Sequence, residues 1–124
     1  MAKLDVSGKV GSVGDYLLEQ RRQAELSLRQ LAELAGVSNP YLSQVERGLR
    51  KPSAEVLQQL AKALRVSAET LYVRAGILDP DDDSSRSVEL AVLADTALSE
   101  RHKRVLLDVY ASLRRDNAPD PETP

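Results

Sequence analysis

Between Ser27 and Ser53 the chain reads SLRQLAELAGVSNPYLSQVERGLRKPS, and its punctuation narrows what it can fold into. Two short apolar-periodic runs are separated by Gly36 and Val37, the second opens on a serine, and Gly48 ends it in a basic turn. Ser27 and Gln30 have capping-box spacing, after which Leu28, Leu31, Ala32 and Ala35 share one helical face. Ser38 can cap the next helix, with Asn39 and Pro40 in its first turn, where proline's missing N–H costs nothing, and Leu42 and Val45 facing inward. The pattern sets two helices at a sharp angle and leaves polar side chains over on the second.

The flanking segments continue the same grammar. Residues 1–11 mix Gly, Ser and Lys and read as a flexible N-terminal arm, and Ser12 opens a first helix whose Val13, Tyr16, Leu17 and Ala24 share one side. Pro52 and Ser53 start a fourth helix carrying Val56, Leu57, Leu60, Ala61 and Leu64, and a fifth follows Ser67 through Leu71 and Tyr72 to Gly76. Residues 12–76 thus parse as five helices with no strand-like alternation. Residues 77–87, with one proline and four aspartates, read as an acidic linker. Beyond it, residues 88–98 and a Ser99-capped run over residues 100–115 form a C-terminal helical hairpin, region 88–115, and residues 116–124 have the composition of a disordered tail. The fold class is all-α.

Composition removes most competing chemistries. Among 124 residues there is no cysteine, one histidine (His102) and one methionine (Met1), so no disulfide framework or soft-metal cluster can form, and no metal or cofactor is expected. The acidic loop lacks the glycine and terminal glutamate of a calcium loop. His102 has no nearby nucleophile or acid–base partner, so no catalytic residue is expected and an enzyme is excluded. No run approaches a membrane span, and the N-terminus lacks the order of regions of a secretory signal, which makes a cytoplasmic location the expectation. The net charge of −2 conceals segregation: residues 1–78 carry 11 Lys/Arg against 8 Asp/Glu, and residues 79–124 carry 6 against 11. Residues 21–51 hold six basic side chains against three acidic ones, enough for a local anion-facing patch.

A short helix, a glycine turn and a second helix at a large angle make a helix-turn-helix, in which one helix fits the major groove of B-DNA while its partner fixes the approach. The segment LSLRQLAELAGVSNPYLSQVERGLRKPSAEVLQQLAKALRVSAETLY also resembles the XRE family, the group of phage Cro and C1-type repressors, and the likeness covers residues 13–76. The resemblance implies a five-helix, lambda-repressor-like DNA-binding domain over residues 12–76, double-stranded operator DNA as partner, binding as a homodimer, and transcriptional regulation, most simply repression by occlusion.

It also implies roles. The recognition helix would be Asn39 to Arg47, with Asn39, Pro40, Ser43 and Gln44 at the bases. Asn and Gln can grip adenine bidentately, whereas proline offers apolar contact alone. Arg29, Arg50 and Lys51 would meet phosphates, assisted by Ser27, Ser38, Tyr41 and Arg47. Arg21 and Glu46 match the family's internal ion pair, which positions the recognition helix. Three residues depart from the pattern: Leu28 replaces a common phosphate-contacting glutamine, Glu25 a common glycine, and Pro40 is unusual in the first recognition turn. The hairpin is too small to enclose a metabolite, so no small-molecule ligand is indicated. Leu106, Val109, Tyr110 and Leu113 collect on one face and are assigned to dimerisation. The competing reading is an antitoxin or interaction regulator that binds DNA mainly in complex with another protein.

Overall fold

Serine decides where most of these helices begin. The computed structural model describes residues 8–118, with side chains from Val13 onward. Along it run α1 (Gly8–Gln23), α2 (Leu28–Ala35), α3 (Asn39–Glu46), α4 (Ala54–Leu64), α5 (Ala68–Arg74), α6 (Arg86–Ala94) and α7 (Glu100–Asn117), with no strand among the described residues. Ser27, Ser38, Ser53, Ser67 and Ser99 sit in extended conformation at the starts of α2, α3, α4, α5 and α7, each side-chain oxygen accepting from the amide three residues on. Each such cap contributes ~1 kcal/mol by satisfying an N–H that the helix itself leaves orphaned. At α2 the box closes: the Ser27 amide donates to Gln30 Oε1 at 2.7 Å while Ser27 Oγ accepts from the Gln30 amide at 3.0 Å.

Gly36, at φ +74°, ends α2 in the left-handed region, which a residue without a Cβ adopts free of strain. Among the described residues, two that bear side chains take the same conformation: Glu25 at φ +58° and Arg65 at φ +60°. Glu25 therefore adopts glycine's backbone at the very position where the family commonly has glycine, at a cost of about 1 kcal/mol.

The core is aliphatic, with Leu17, Leu31, Leu42, Val45, Leu57, Leu60 and Leu71 fully buried around Tyr72. α2 packs on α3 and α4, α1 packs on α3 and α5, and α6 bridges α4 and α7. Leu28 is part of this packing and braces the core.

Several boundaries differ from the sequence expectation. Residues 8–11, read as part of the arm, are helical, and Ser12 lies inside α1; no proline between residues 8 and 23 stops the helix from extending back past it. Residues 1–7 lie outside the described residues. Ala24, expected on the inner side, falls beyond the end of α1 and is exposed. The first hairpin helix ends at Ala94, because Asp95 turns the chain by accepting from the Ala97 amide at 2.8 Å. α7 continues to Asn117, so residues 116 and 117 of the expected tail are helical, and residues 119–124 lie outside the described residues.

The stretch read as a linker is fastened down. Leu78 is 3 % exposed in the core and Ser85 is buried. Arg86 gathers the loop by donating to the carbonyls of Asp79 and Asp82 and to the Glu69 carboxylate on α5. Residues 77–87, read from composition as an acidic linker, are thus held in place: the backbone carbonyls of Asp79 and Asp82 serve as acceptors for a single guanidinium.

Candidate nucleic-acid interface

The second helix of the helix-turn-helix, α3, is defined by what holds it from behind. Leu42 and Val45 are fully buried and Glu46 is 8 % exposed, so α3 is pinned along one face. Asn39 and Pro40 are exposed in its first turn, and Ser43 and Gln44 are half-buried. An α-helix is about 10–12 Å across with its side chains, the width that the B-DNA major groove admits.

Arg21 of α1 meets Glu46 in a fork-to-fork pair, with Nε to Oε2 at 2.8 Å and Nη2 to Oε1 at 3.0 Å, while Nη1 donates to the Leu26 carbonyl at 3.1 Å. The side chains are 15 % and 7 % exposed. Hydrogen bonding to Glu46 raises the Arg21 pKa, against the opposing effect of burial. One guanidinium thus ties α1, the turn before α2 and the end of α3 together, and has no hydrogen left over on Nε for a phosphate.

Gly14 was not singled out from the sequence, yet it controls the same junction. A Cβ there would lie 2.6 Å from the Val45 carbonyl oxygen and 2.7 Å from that of Glu46. α1 and the C-terminal end of α3 approach as closely as they do because residue 14 has no side chain.

On the outer side, Arg50 joins two of the expected contact residues. Its Nε donates to Gln44 Oε1 at 3.0 Å, and its guanidinium lies 5.3 Å from the centre of the Tyr41 ring, a cation–π distance. The Gln44 amide is thereby oriented, and its carbonyl oxygen keeps a second lone pair for a base. Burial pushes the Tyr41 hydroxyl above its ordinary pKa, partly offset by Arg50, so near neutral pH it is a neutral donor suited to a phosphate oxygen. Arg47 folds back, with Nε donating to the Ser43 carbonyl at 3.4 Å. Arg29 and Lys51 are exposed. The oxygens of Ser27 and Ser38 accept within their caps, which leaves each hydroxyl hydrogen available to an anion. Leu49, 68 % exposed in the turn after α3, is an apolar residue at this edge that periodicity did not mark out.

The hairpin is placed elsewhere. Leu106, Val109 and Leu113 are 44 %, 49 % and 54 % exposed on α7, and Val105 joins them at 52 %. Tyr110, expected with them, is half-buried, while Leu93, Lys103 and Leu107 make the inward contacts. Among the described residues no cluster of side chains could hold a metal ion, and no helix is long and apolar enough to cross a membrane.

This geometry agrees with what the chain is similar to. The Helix-turn-helix (HTH_3) family model matches residues 17–71. The HTH-type transcriptional regulator Rv0474 of Mycobacterium tuberculosis is 64 % identical over 104 residues, covering 84 % of this chain and 73 % of the relative. The HTH-type transcriptional repressor RghR of Bacillus subtilis is 30 % identical over 126 residues, covering 86 % and 93 %. Among solved structures, the clp gene regulator ClgR of Corynebacterium glutamicum superposes with a TM-score of 0.50 at 25 % identity, over 88 % of this chain and 94 % of that one. The chain belongs to the XRE-type helix-turn-helix family of DNA-binding transcriptional regulators.

Proposed function

We propose that this protein is a dimeric repressor that reads an inverted-repeat operator with α3 and acts by occluding a promoter. The observation that carries the reading is the division of α3: Leu42, Val45 and Glu46 are held from behind, while Asn39, Pro40, Ser43 and Gln44 remain on its accessible side beside Arg50. Gln44 and Asn39 favour adenine, through paired donation and acceptance at N7 and N6, and Pro40 favours an apolar edge such as a thymine methyl. Arg29, Arg50, Lys51, Tyr41 and Arg47, with Ser27 and Ser38, neutralise or hydrogen-bond phosphates and set the register without carrying sequence information. Arg21 stays with Glu46 as the internal brace. Repression is supported by the likeness to RghR, which is named a repressor.

The dimer forms through α7. Leu106, Val109 and Leu113 recur at intervals of three and four residues, the spacing of a two-helix seam, and Val105 widens it. A second copy offers the same stripe, so a two-fold pairing covers both at once, and each of these side chains, about half exposed in the single chain, gains roughly half of the ~1.5 to 3 kcal/mol of full burial. Selection from a random duplex library should return inverted repeats, with half-sites about one helical turn apart or a multiple of it. With Leu106→Asp and Val109→Asp combined, the protein should scatter light as a monomer, stay helical, and recover only single half-sites at lower affinity. A variant that still dimerises as tightly as the parent would place the interface elsewhere.

A further inference from the structure

The N-terminus of α4 is capped by a residue from the far end of the chain. Glu100 accepts from the Ala54 amide through Oε1 at 3.0 Å and from the Glu55 amide through Oε2 at 3.3 Å, while Ser53 Oγ takes the Val56 amide at 3.1 Å. Three of the four orphan donors of α4 are thus satisfied, two of them by a carboxylate some 45 positions away in sequence. Lys103, one turn along α7 and only 4 % exposed, donates to the Leu93 carbonyl at 2.6 Å and lies 3.9 Å from the Glu100 carboxylate. Arg114 reaches Ser84 at 2.9 Å near the other end of α7. The helix that carries the exposed apolar seam is therefore fixed at its first turn to the element that directly follows the Arg50–Lys51 turn, and the Arg114 contact adds one hydrogen bond at the surface.

We infer that Glu100 is a positioning residue for operator recognition: by latching α7 to the start of α4, it sets the distance and rotation between the dimer seam and α3, and so restricts the dimer to one half-site spacing. The inference rests on the dimer reading above. Its physical basis is that a single base pair inserted between half-sites moves one of them by about 3.4 Å and rotates it by roughly a tenth of a turn. A hairpin swinging on a free acidic linker absorbs such a change. A hairpin held by a carboxylate on two backbone amides, a buried lysine and core residue Leu93 does not.

The test uses the full-length protein and inverted repeats of the selected half-site, with the spacer varied one base pair at a time. The parent should bind one spacing best and lose about 10-fold or more in affinity one base pair to either side. Glu100→Ala should lose affinity at the best spacing and vary by only about 3-fold across the same series. Glu100→Gln, which keeps an acceptor for one amide without the charge, should fall between them and guards against a variant that does not fold. Circular dichroism and light scattering on each protein establish helicity and dimerisation. If either folded variant weakens equally at every spacing, Glu100 is only a stabilising cap and the latch is overturned, as it is if the parental profile persists. A parent that binds isolated half-sites as well as inverted repeats defeats the dimer reading and the latch together, a result read on the parent alone.

Discussion

Glu46→Ala is expected to lower the unfolding free energy of the DNA-free protein by about 3 to 5 kcal/mol, and Arg21→Ala by a similar amount, because each leaves a charge of a largely buried pair without its partner. For a domain of this size that is a melting-temperature drop on the order of 10 °C or more. The double variant should lose much less than the two single losses added together, since removing both partners leaves no orphaned charge, and that coupling is the signature of the fork-to-fork geometry. Arg21 also donates to the Leu26 carbonyl, so its replacement should loosen the turn before α2 as well. Thermal melts of the four proteins without DNA check this. Single variants that melt like the parent while losing DNA affinity would move Arg21 among the phosphate contacts.

Gly14→Ala should also destabilise, against the ordinary trend. In an exposed helix interior the same change gains about 1 kcal/mol. Here the new Cβ would sit within 3 Å of two backbone carbonyl oxygens at the end of α3, and carbonyl oxygens within a helix have no rotamer into which to retreat. The expected loss is on the order of 1 to 3 kcal/mol, through separation of α1 from α3. Equilibrium denaturation in urea gives the sign. A midpoint at or above that of the parent would show that the two helices can part without cost.

Helices α2, α3, α4, α5 and α7 are legible in the sequence because each is written locally: a serine, a residue three positions on to use it, and an apolar stripe of the right period. Ser27 with Gln30 and Ser38 with Tyr41 are examples, and the inward pairs Leu42–Val45 and Leu57–Leu60 follow from period alone. The Arg21–Glu46 contact came from family resemblance; 25 residues separate the partners and no local rule joins them. What escaped the sequence reading is what depends on two segments meeting. Gly14 looks like a weak helix residue until the end of α3 lies against it. Glu100 looks like an ordinary first-turn acid until its carboxylate is found on another helix. Family resemblance and charge mark Arg50 as a phosphate contact, yet its hold on Gln44 requires the Gly48 turn to bring residues six apart together. The aspartates of residues 79–83 mislead for the converse reason: composition shows a row of charges, whereas in the fold Arg86 takes the carbonyls of Asp79 and Asp82 and their carboxylates accept from the amides of Asp81 and Ser84, which closes the loop on itself.

If α3 reads bases while the cations around it hold the backbone, Gln44→Ala and Lys51→Ala must fail in different ways. Affinities for the selected operator and for random duplex, each measured across a salt series, separate the two roles. Gln44→Ala should lose ~1 to 3 kcal/mol on the operator, little on random DNA, and keep the parental salt slope. Lys51→Ala should weaken binding to both duplexes alike and reduce the log–log salt slope by roughly 1. A Gln44 variant that loses equally on both duplexes, or a Lys51 variant whose loss is confined to the operator, would mean that α3 does not read bases and the turn does not merely hold the backbone.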